Sequence, residues 1–431
     1  MSAEIVESKE NEVIIQVKIS LAGSLLDCEE EILKGVNEVG ALATGEAIKI
    51  FDTDGSPIQV GDIKFTSRNQ DYTSYQTPYG VIRLQRHVYQ SSRGGRIYRP
   101  LEEKARIVQG TTPRFAKILS HKYANLAAPA VREDLETNHG RKVTISYLQR
   151  VVDYIGSIAQ AKEEQWEYAP PDLGESVSTV GISLDGAHIL TKEDGYREGM
   201  VGTISLYDKG GERLHTTYVA ASPEYGKATF FERLEREIAR TKSIYPDAET
   251  IGVADGAKNN WPFLNKHTNK QILDFWHASE YLAKASKVIF SKKSQEAKRK
   301  VWLKDQCHNL KHKEGSAAEI LETMEKRIAK PKSLSNIAKE NLESAITYFR
   351  NNIEAGRMDY YKFVEDNLPI GSGVTEAACK TIIKQRLGGS GMRWKDKGIR
   401  TILSLRTLVH TKGRWKQFWE KINQYGAKAI T

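Results

Sequence analysis

Three acidic residues stand where carboxylates can act on phosphorus. Asp185 follows the apolar run Gly181-Ile182-Ser183-Leu184 and precedes Gly186. Asp255 follows Ile251-Gly252-Val253-Ala254 and precedes Gly256. Both runs read as strands, and in open α/β sheets functional groups gather at the carboxyl ends of strands. If the two strands are parallel and adjacent, both carboxylates point into one crevice. Glu376 lies just inside a helix that follows Gly371-Ser372-Gly373, so that helix can present a third carboxylate from the side. Three carboxylates without a Cys/His set favour two hard cations, Mg²⁺ with Mn²⁺ as the alternative. Such a pair activates water or a 3′-hydroxyl and stabilises the leaving oxygen of an in-line phosphoryl displacement. Each residue also has a plainer reading. Asp-Gly is an ordinary turn pair, and a first-turn glutamate complements the helix dipole. The three together, two at strand ends and one after a long helical run, select the catalytic reading.

Two histidines lie close to this set. His277 closes Asp274-Phe275-Trp276-His277, just after a fifth strand-like run. There it can serve as acid or hydrogen-bond donor near a scissile oxygen, or be a satisfied histidine at a strand-to-helix junction. His188 follows Asp185 by three residues and is the weaker candidate. Cys307, His308 and His312 sit in a charged helical run, which argues against a metal site there.

The clearest basic element is the C-terminal one, where Lys and Arg mix with Trp394, Trp415, Phe418 and Trp419. Basic groups meet phosphates and aromatics stack on unpaired bases. Lys380, Lys384, Arg386, Arg393 and Trp394 are the expected strand-binding face. Ile402, Leu403, Leu405, Leu408 and Val409 instead mark a buried helix face.

The elements that must hold these groups follow from pattern. Ser24-Leu25-Leu26-Asp27 reads as a capping box, and Leu26, Ile32, Leu33, Val36 and Val39 keep helical spacing behind it. Residues 63–100 read as a hairpin turning at SSRGGR, with Arg93 and Arg96 at its tip. Helices are expected near 113–124, 128–138 and 144–157, the first opened by Thr112-Pro113. Such a trio suits a helix-turn-helix, with Ser146, Tyr147, Gln149 and Arg150 at the start of its last helix. Residues 158–176 read as a linker. Strands at 178–190, 199–207 and 213–221 then give way to helix, strand, helix and strand. That order predicts a ribonuclease-H-like mixed sheet. The charged, helical run that follows predicts an all-α insertion. The expected organisation is an acidic helical region 1–64, a hairpin-plus-helices region 65–160, the first catalytic part 177–290, the insertion 291–368, and the catalytic end with basic helices 369–431.

Charge supports a polyanionic partner. Residues 1–64 carry 5 Lys/Arg against 13 Asp/Glu, a balance of −8. Residues 65–150 carry 15 against 6, or +9, and residues 371–431 carry 13 against 3, or +10. Two basic segments therefore flank a nearly neutral middle, the footprint of a DNA- or RNA-binding chain. No run reaches the ~18 apolar residues of a membrane span. The acidic start MSAEIVESKE has no apolar stretch that would predict a secretory leader. Three scattered cysteines, Cys28, Cys307 and Cys379, exclude a disulfide scaffold or a Cys-x-x-Cys zinc knuckle and fit a reducing interior.

SLDGAH, GVADGAKNNW, DFWHASEYL and GSGVTEAACKTIIKQRLGGSGMRW together resemble bacterial insertion-sequence transposases of the DDE superfamily, nearest to the ISKra-type group related to Mutator-like transposases. The likeness spans roughly residues 75–425. It implies a ribonuclease-H-like domain with Asp185, Asp255 and Glu376 as the metal-binding triad, and an α-helical insertion before the glutamate. It also implies that Asp274 and His277 form the Cys/Asp-x-x-His motif of the Mutator-like relatives. The expected activity is binding of terminal inverted repeats, cleavage to 3′-hydroxyl ends, and joining to target DNA by a homodimer or higher oligomer. The setting would be a bacterial cytoplasm, beside the nucleoid. A non-catalytic DNA-binding descendant and a nuclease without strand transfer are the alternatives.

Overall fold

The computed structural model describes residues 2–9, 11–91, 94–95, 97–257, 259–329 and 334–427. The chain forms two compact units. One comprises Met1–Ala169, Lys397–Val409 and Gly413–Thr431, the other Pro170–Asp396 and His410–Lys412. The boundary at 169/170 falls inside the Pro/Gly-bearing segment read as a linker.

The first unit begins with an antiparallel pair, β1 (Ser2–Ser8) and β2 (Val13–Lys18). The sequence pattern had shown only a helix in this acidic region. That helix, α1 (Leu25–Lys49), starts at the expected capping box: Asp27 N–H donates to Ser24 Oγ (3.2 Å), and Ser24 N–H donates to the Asp27 carboxylate (2.9 Å). Next come β3 (Ile58–Val60), β4 (Ile63–Gln76), β5 (Val81–Ser91) and β6 (Ile97–Tyr98), a four-stranded antiparallel sheet in that order. The long hairpin is β4–β5, turned at Thr77–Gly80. The pairing of β5 with β6 covers two residue pairs, Tyr89↔Tyr98 and Gln90↔Ile97. Arg93 and Arg96 lie outside the described residues. After α2 (Pro100–Lys104), the helices α3 (Pro113–Asn125), α4 (Ala128–His139) and α5 (Ile145–Ala161) stand within a few residues of the expected spans. Gly140, at φ +61°, ends α4 in the left-handed conformation that glycine tolerates best. Phe115, Leu119, Val131, Leu135, Leu148, Val152 and Ile155 are buried between these helices and their surroundings.

The second unit is built on a five-stranded mixed sheet. β7 (Thr179–Thr191), β8 (Gly195–Tyr207) and β9 (Arg213–Ala221) form an antiparallel meander. Helix α6 (Ala228–Ile244) returns the chain to β10 (Glu249–Ala254), and α7 (Trp261–His267) leads to β11 (Lys270–Leu273). The sheet order is β11-β10-β7-β8-β9, with β10 parallel to both neighbours. The described elements that follow are helices: α8 (Phe275–Ile289), α9 (Glu296–His312), α10 (Ser316–Ile328), α11 (Asn336–Glu354) and α12 (Tyr360–Glu365). Their buried side chains, among them Leu282, Leu310, Met324, Ile346 and Phe349, belong to the same apolar core as Val180, Ile182 and Leu184 of the sheet. The helical run is thus fused to the sheet by a shared core. α13 (Gly373–Ala378) continues through a π-helical stretch, Cys379–Lys384, into α14 (Gln385–Leu387).

The last two helices are α15 (Asp396–His410) and α16 (Arg414–Tyr425). Most of α15 and all of α16 pack into the first unit, so the segment 369–431 is divided between the two.

Candidate active site

β7 does not stop at Asp185. It runs six residues further, paired with β8 as far as Thr191↔Gly195. The strand read at 178–190 is observed within a residue at each end, so Asp185 lies inside it and not at its carboxyl end; what ends near that level is its other neighbour. β10 stops at Ala254, and its ladder with β7 closes at Gly252↔Ile182. Carrying that register three residues on sets Asp255 level with Asp185. Alternation puts both on the face that also carries Ser183, the face opposite Val180, Ile182 and Leu184. His188, three residues past Asp185, falls on the other face and is exposed, so it takes no part in this constellation.

The helix bearing Glu376 lies over the same face. Thr375 and Thr203 hydroxyls share a buried hydrogen bond of 2.6 Å, and Thr203 pairs in register with Ser183. One turn on, the buried Cys379 thiol donates to the Asp185 carboxylate; burial first, and that carboxylate second, push its pKa far upward. Glu376 is left half exposed, its Oε1 3.5 Å from His277 Nε2.

Asp274 joins these parts. Its Oδ1 accepts the N–H groups of Trp276 (2.7 Å) and His277 (3.0 Å), capping α8, a role that suits an Asp between strand and helix. Its Oδ2 accepts both the N–H and the hydroxyl of Ser372, the latter at 2.6 Å. Phe275 N–H adds a bond to the Ile370 carbonyl (2.9 Å). The carboxylate is fully buried, so Asp274 fixes the origins of the His277 and Glu376 helices rather than facing a ligand.

Asp255 opens onto a cleft of about 660 Å³. His277, Tyr281 and Lys284 line it from one face of α8, Tyr348 and Arg357 from α11 and the loop after it. Tyr348 donates its hydroxyl to the Asp255 carbonyl (2.8 Å) and stacks on Tyr281 with centroids 3.8 Å apart. Burial, then Tyr281, raise the Tyr348 pKa. Gly256 is required beside it: its φ is +94°, and a Cβ would lie 2.7 Å from the Tyr348 ring. The i, i+4, i+7 spacing of His277, Tyr281 and Lys284 is a helix-face signal that could have found the last two, which the sequence reading missed. Tyr348 and Arg357 carried no local signal.

Two hard cations need several oxygen donors in one place. The donor chemistry and strand positions of Asp185 and Asp255 fit that need. Each has one carboxylate oxygen turned to a neighbouring N–H: Asp185 to Gly186 (2.7 Å), Asp255 to Ala257 (3.0 Å). Glu376, turned to His277, does not join them in this arrangement. Among the described residues no three His, Cys, Asp or Glu side chains stand close enough to hold a metal ion, which includes Cys307, His308 and His312.

The expected DNA-contacting residues are distributed unevenly. Lys380, Lys384 and Arg393 are exposed on the second unit, Ser146, Gln149 and Arg150 on the first. Arg386 is instead buried, stacked over Trp394 at 5.2 Å. Trp394 donates Nε1–H to the Leu387 carbonyl (3.0 Å), and its backbone bonds Leu190 and Lys192 beside the end of β7. Both hold the fold after α14 together. Tyr147 is likewise internal, hydrogen-bonded to Thr111, with burial pushing its pKa up to about 12.

No protein-family model matches the chain, and no curated protein matches it. Among the described residues no helix is long and apolar enough to cross a membrane.

Proposed function

We propose that the chain is a DDE-type DNA transposase with a ribonuclease-H-like catalytic unit. The observation that carries this reading is the parallel β7–β10 register, which sets Asp185 and Asp255 side by side under the helix of Glu376. Three further features support it. The sheet is an antiparallel meander followed by two parallel strands added beyond β7. Only helices are described between β11 and the glutamate. The Asp-x-x-His pair is tied physically to the turn that launches the glutamate helix.

Asp185 and Asp255 would hold Mg²⁺ or Mn²⁺, with Glu376 completing the set once its contact with His277 is released. Bound cations would stabilise charge at the scissile phosphate and favour a deprotonated attacking oxygen. The chain's own groups position and neutralise. His277, held at its backbone by Asp274, offers a ring nitrogen to a phosphate or leaving oxygen. Lys380, Lys384 and Arg393 bind strand phosphates near the site, and Gln149 and Arg150 contact the element ends. The reaction is hydrolysis at each end to give a 3′-hydroxyl, then attack of that hydroxyl on target DNA. Joining two ends calls for a dimer or higher oligomer.

The test incubates the purified chain with labelled DNA flanking its gene, a supercoiled target and Mg²⁺ or Mn²⁺. Asp185→Asn, Asp255→Asn and Glu376→Gln should each lower nicking and joining by about 10²–10³-fold or more, from the scale of lost electrostatic stabilisation upward, with end binding retained. Cleavage without joined products points to a nuclease. Binding without cleavage under either metal points to a DNA-binding descendant. Full activity in any one variant removes that residue from the triad.

A further inference from the structure

The first unit contains a polar cavity of about 500 Å³ lined by Arg99, Glu102, Gln109, Gly110, Arg150 and Tyr154. Its one carboxylate is already engaged: Glu102 Oε1 accepts from Arg86 Nη1 at 2.6 Å and from the Tyr75 hydroxyl at 3.2 Å. Arg86, which also lies 3.3 Å from Asp71, is in turn occupied by these acids. Among the described residues the two arginines of the cavity have no such neutralisation. Arg99 Nε is buried and meets no hydrogen-bond partner among the described residues. Arg150, on α5, is exposed, its guanidinium 5.6 Å from the Tyr147 ring, with no ion pair among the described residues.

A buried charged donor left without an acceptor is costly, and a ligand that brings the acceptor removes the cost. Two guanidinium forks around one polar hollow call for an oxyanion that accepts several N–H bonds. The surrounding segment, residues 65–150, carries 15 basic residues against 6 acidic ones, so its field concentrates anions there. We propose that this cavity is a phosphate-binding site, with Arg99 and Arg150 as its donors. Its natural source would be a backbone phosphate of DNA, a clause that rests on the function proposed above; a small phosphorylated ligand is the other source of the same chemistry.

The test uses the full chain. Inorganic phosphate is titrated by calorimetry against chloride at matched ionic strength, with the wild type, Arg99→Gln and Arg150→Gln. Phosphate should bind the wild type, and each variant should bind about tenfold more weakly, the loss expected for one charge-assisted hydrogen bond. Arg150 is exposed, so its variant keeps the test open if Arg99→Gln fails to fold. Duplex DNA is then added. If it displaces phosphate, and Arg150→Gln lowers the slope of log affinity against log salt by about 1, the source is a nucleic-acid backbone. If phosphate binds but DNA does not compete, the site stands and takes a small phosphorylated ligand, while the DNA reading of the first unit fails. Phosphate binding no better than chloride, or unchanged in a folded Arg150→Gln, overturns the proposal.

Discussion

At the residue scale, the group that organises the candidate site is one that never faces it. Asp274 accepts four hydrogen bonds while fully buried, two from the first turn of α8 and two from Ser372. Removing it orphans those donors and strips a helix cap. Asp274→Ala should therefore cost roughly 2–4 kcal/mol of the second unit's stability, from the cap and the unsatisfied donors together. Asp274→Asn keeps one acceptor oxygen for the cap but turns an amide toward Ser372, so it should cost less than alanine. Urea melts of the three proteins check the order; an alanine variant within 0.5 kcal/mol of wild type, on the scale of a neutral surface change, would sink the clamp. Half of this role was legible. An Asp between a strand and an amphipathic helix announces a cap. Its second partner lies 98 residues away, and no local pattern specifies a contact across that separation. The same holds for Tyr348, which reaches the Asp255 carbonyl from α11.

At the element scale, the helices and the second unit's strands were readable to within a few residues, while the first unit's β1, β2 and the true turn of its hairpin were not. α3, α4 and α5 have punctuated ends, Pro113 at one start and Gly140 at one finish, and their apolar stripes repeat at helical spacing. β7 is buried on both faces from Thr179 to Leu184, so it offers no alternation, and the Asp-Gly pair inside it imitates a turn. The strand read at 178–190 nonetheless passes through that pair, and the ladder with β8 runs to Thr191↔Gly195. The α3–α4 pair also yields a pH test. Lys122 Nζ lies 2.5 Å from Asp134, both largely shielded, and this bond, then that from Asn138, holds the Asp134 pKa below its usual 3.8. A depressed carboxylate pKa means the unfolded chain binds the proton more readily, so stability rises with pH across the interval between the two values. The contribution is complete above about pH 4 to 5 and is lost as pH falls through the lower, folded value. Lys122→Met should cost about 1 kcal/mol or less at pH 7, and the difference from wild type should narrow as pH falls through the folded-state value. A gap in urea midpoints that does not narrow at all in acid would assign the effect to packing.

At the scale of the whole molecule, the chain's two ends build one unit. The C-terminal helices read from sequence as a basic element with one buried face on the first of them, and it is their apolar faces that complete the N-terminal unit, which the sequence did not indicate. Trp415 lies 5.9 Å from the His121 ring and Phe418 5.7 Å from Trp166; Arg406 donates to the Ala124 carbonyl, and Arg106 to those of Asn423 and Gln424. Ile399, Ile402, Leu403, Leu405, Phe418 and Ile422 are each at most 1% exposed. At about 1.5–3 kcal/mol for each buried side chain, their loss is comparable with the entire stability of a domain, about 5–15 kcal/mol. A chain ending at residue 396 should therefore lose the calorimetric transition of its first unit, and trypsin should cut it between residues 99 and 150 under conditions where the full chain resists. The second unit should still melt cooperatively, because residues 170–396 contain its sheet and its core. Two intact transitions in the shortened chain would refute the assignment of α15 and α16 to the first unit. The consequence reaches the DNA question. Weaker DNA binding after such a deletion would follow from unfolding as readily as from loss of a basic surface. Single exchanges of exposed groups, such as Lys384→Gln or Arg393→Gln, leave the core intact, and their effect on the salt slope of binding is the measurement that isolates the surface.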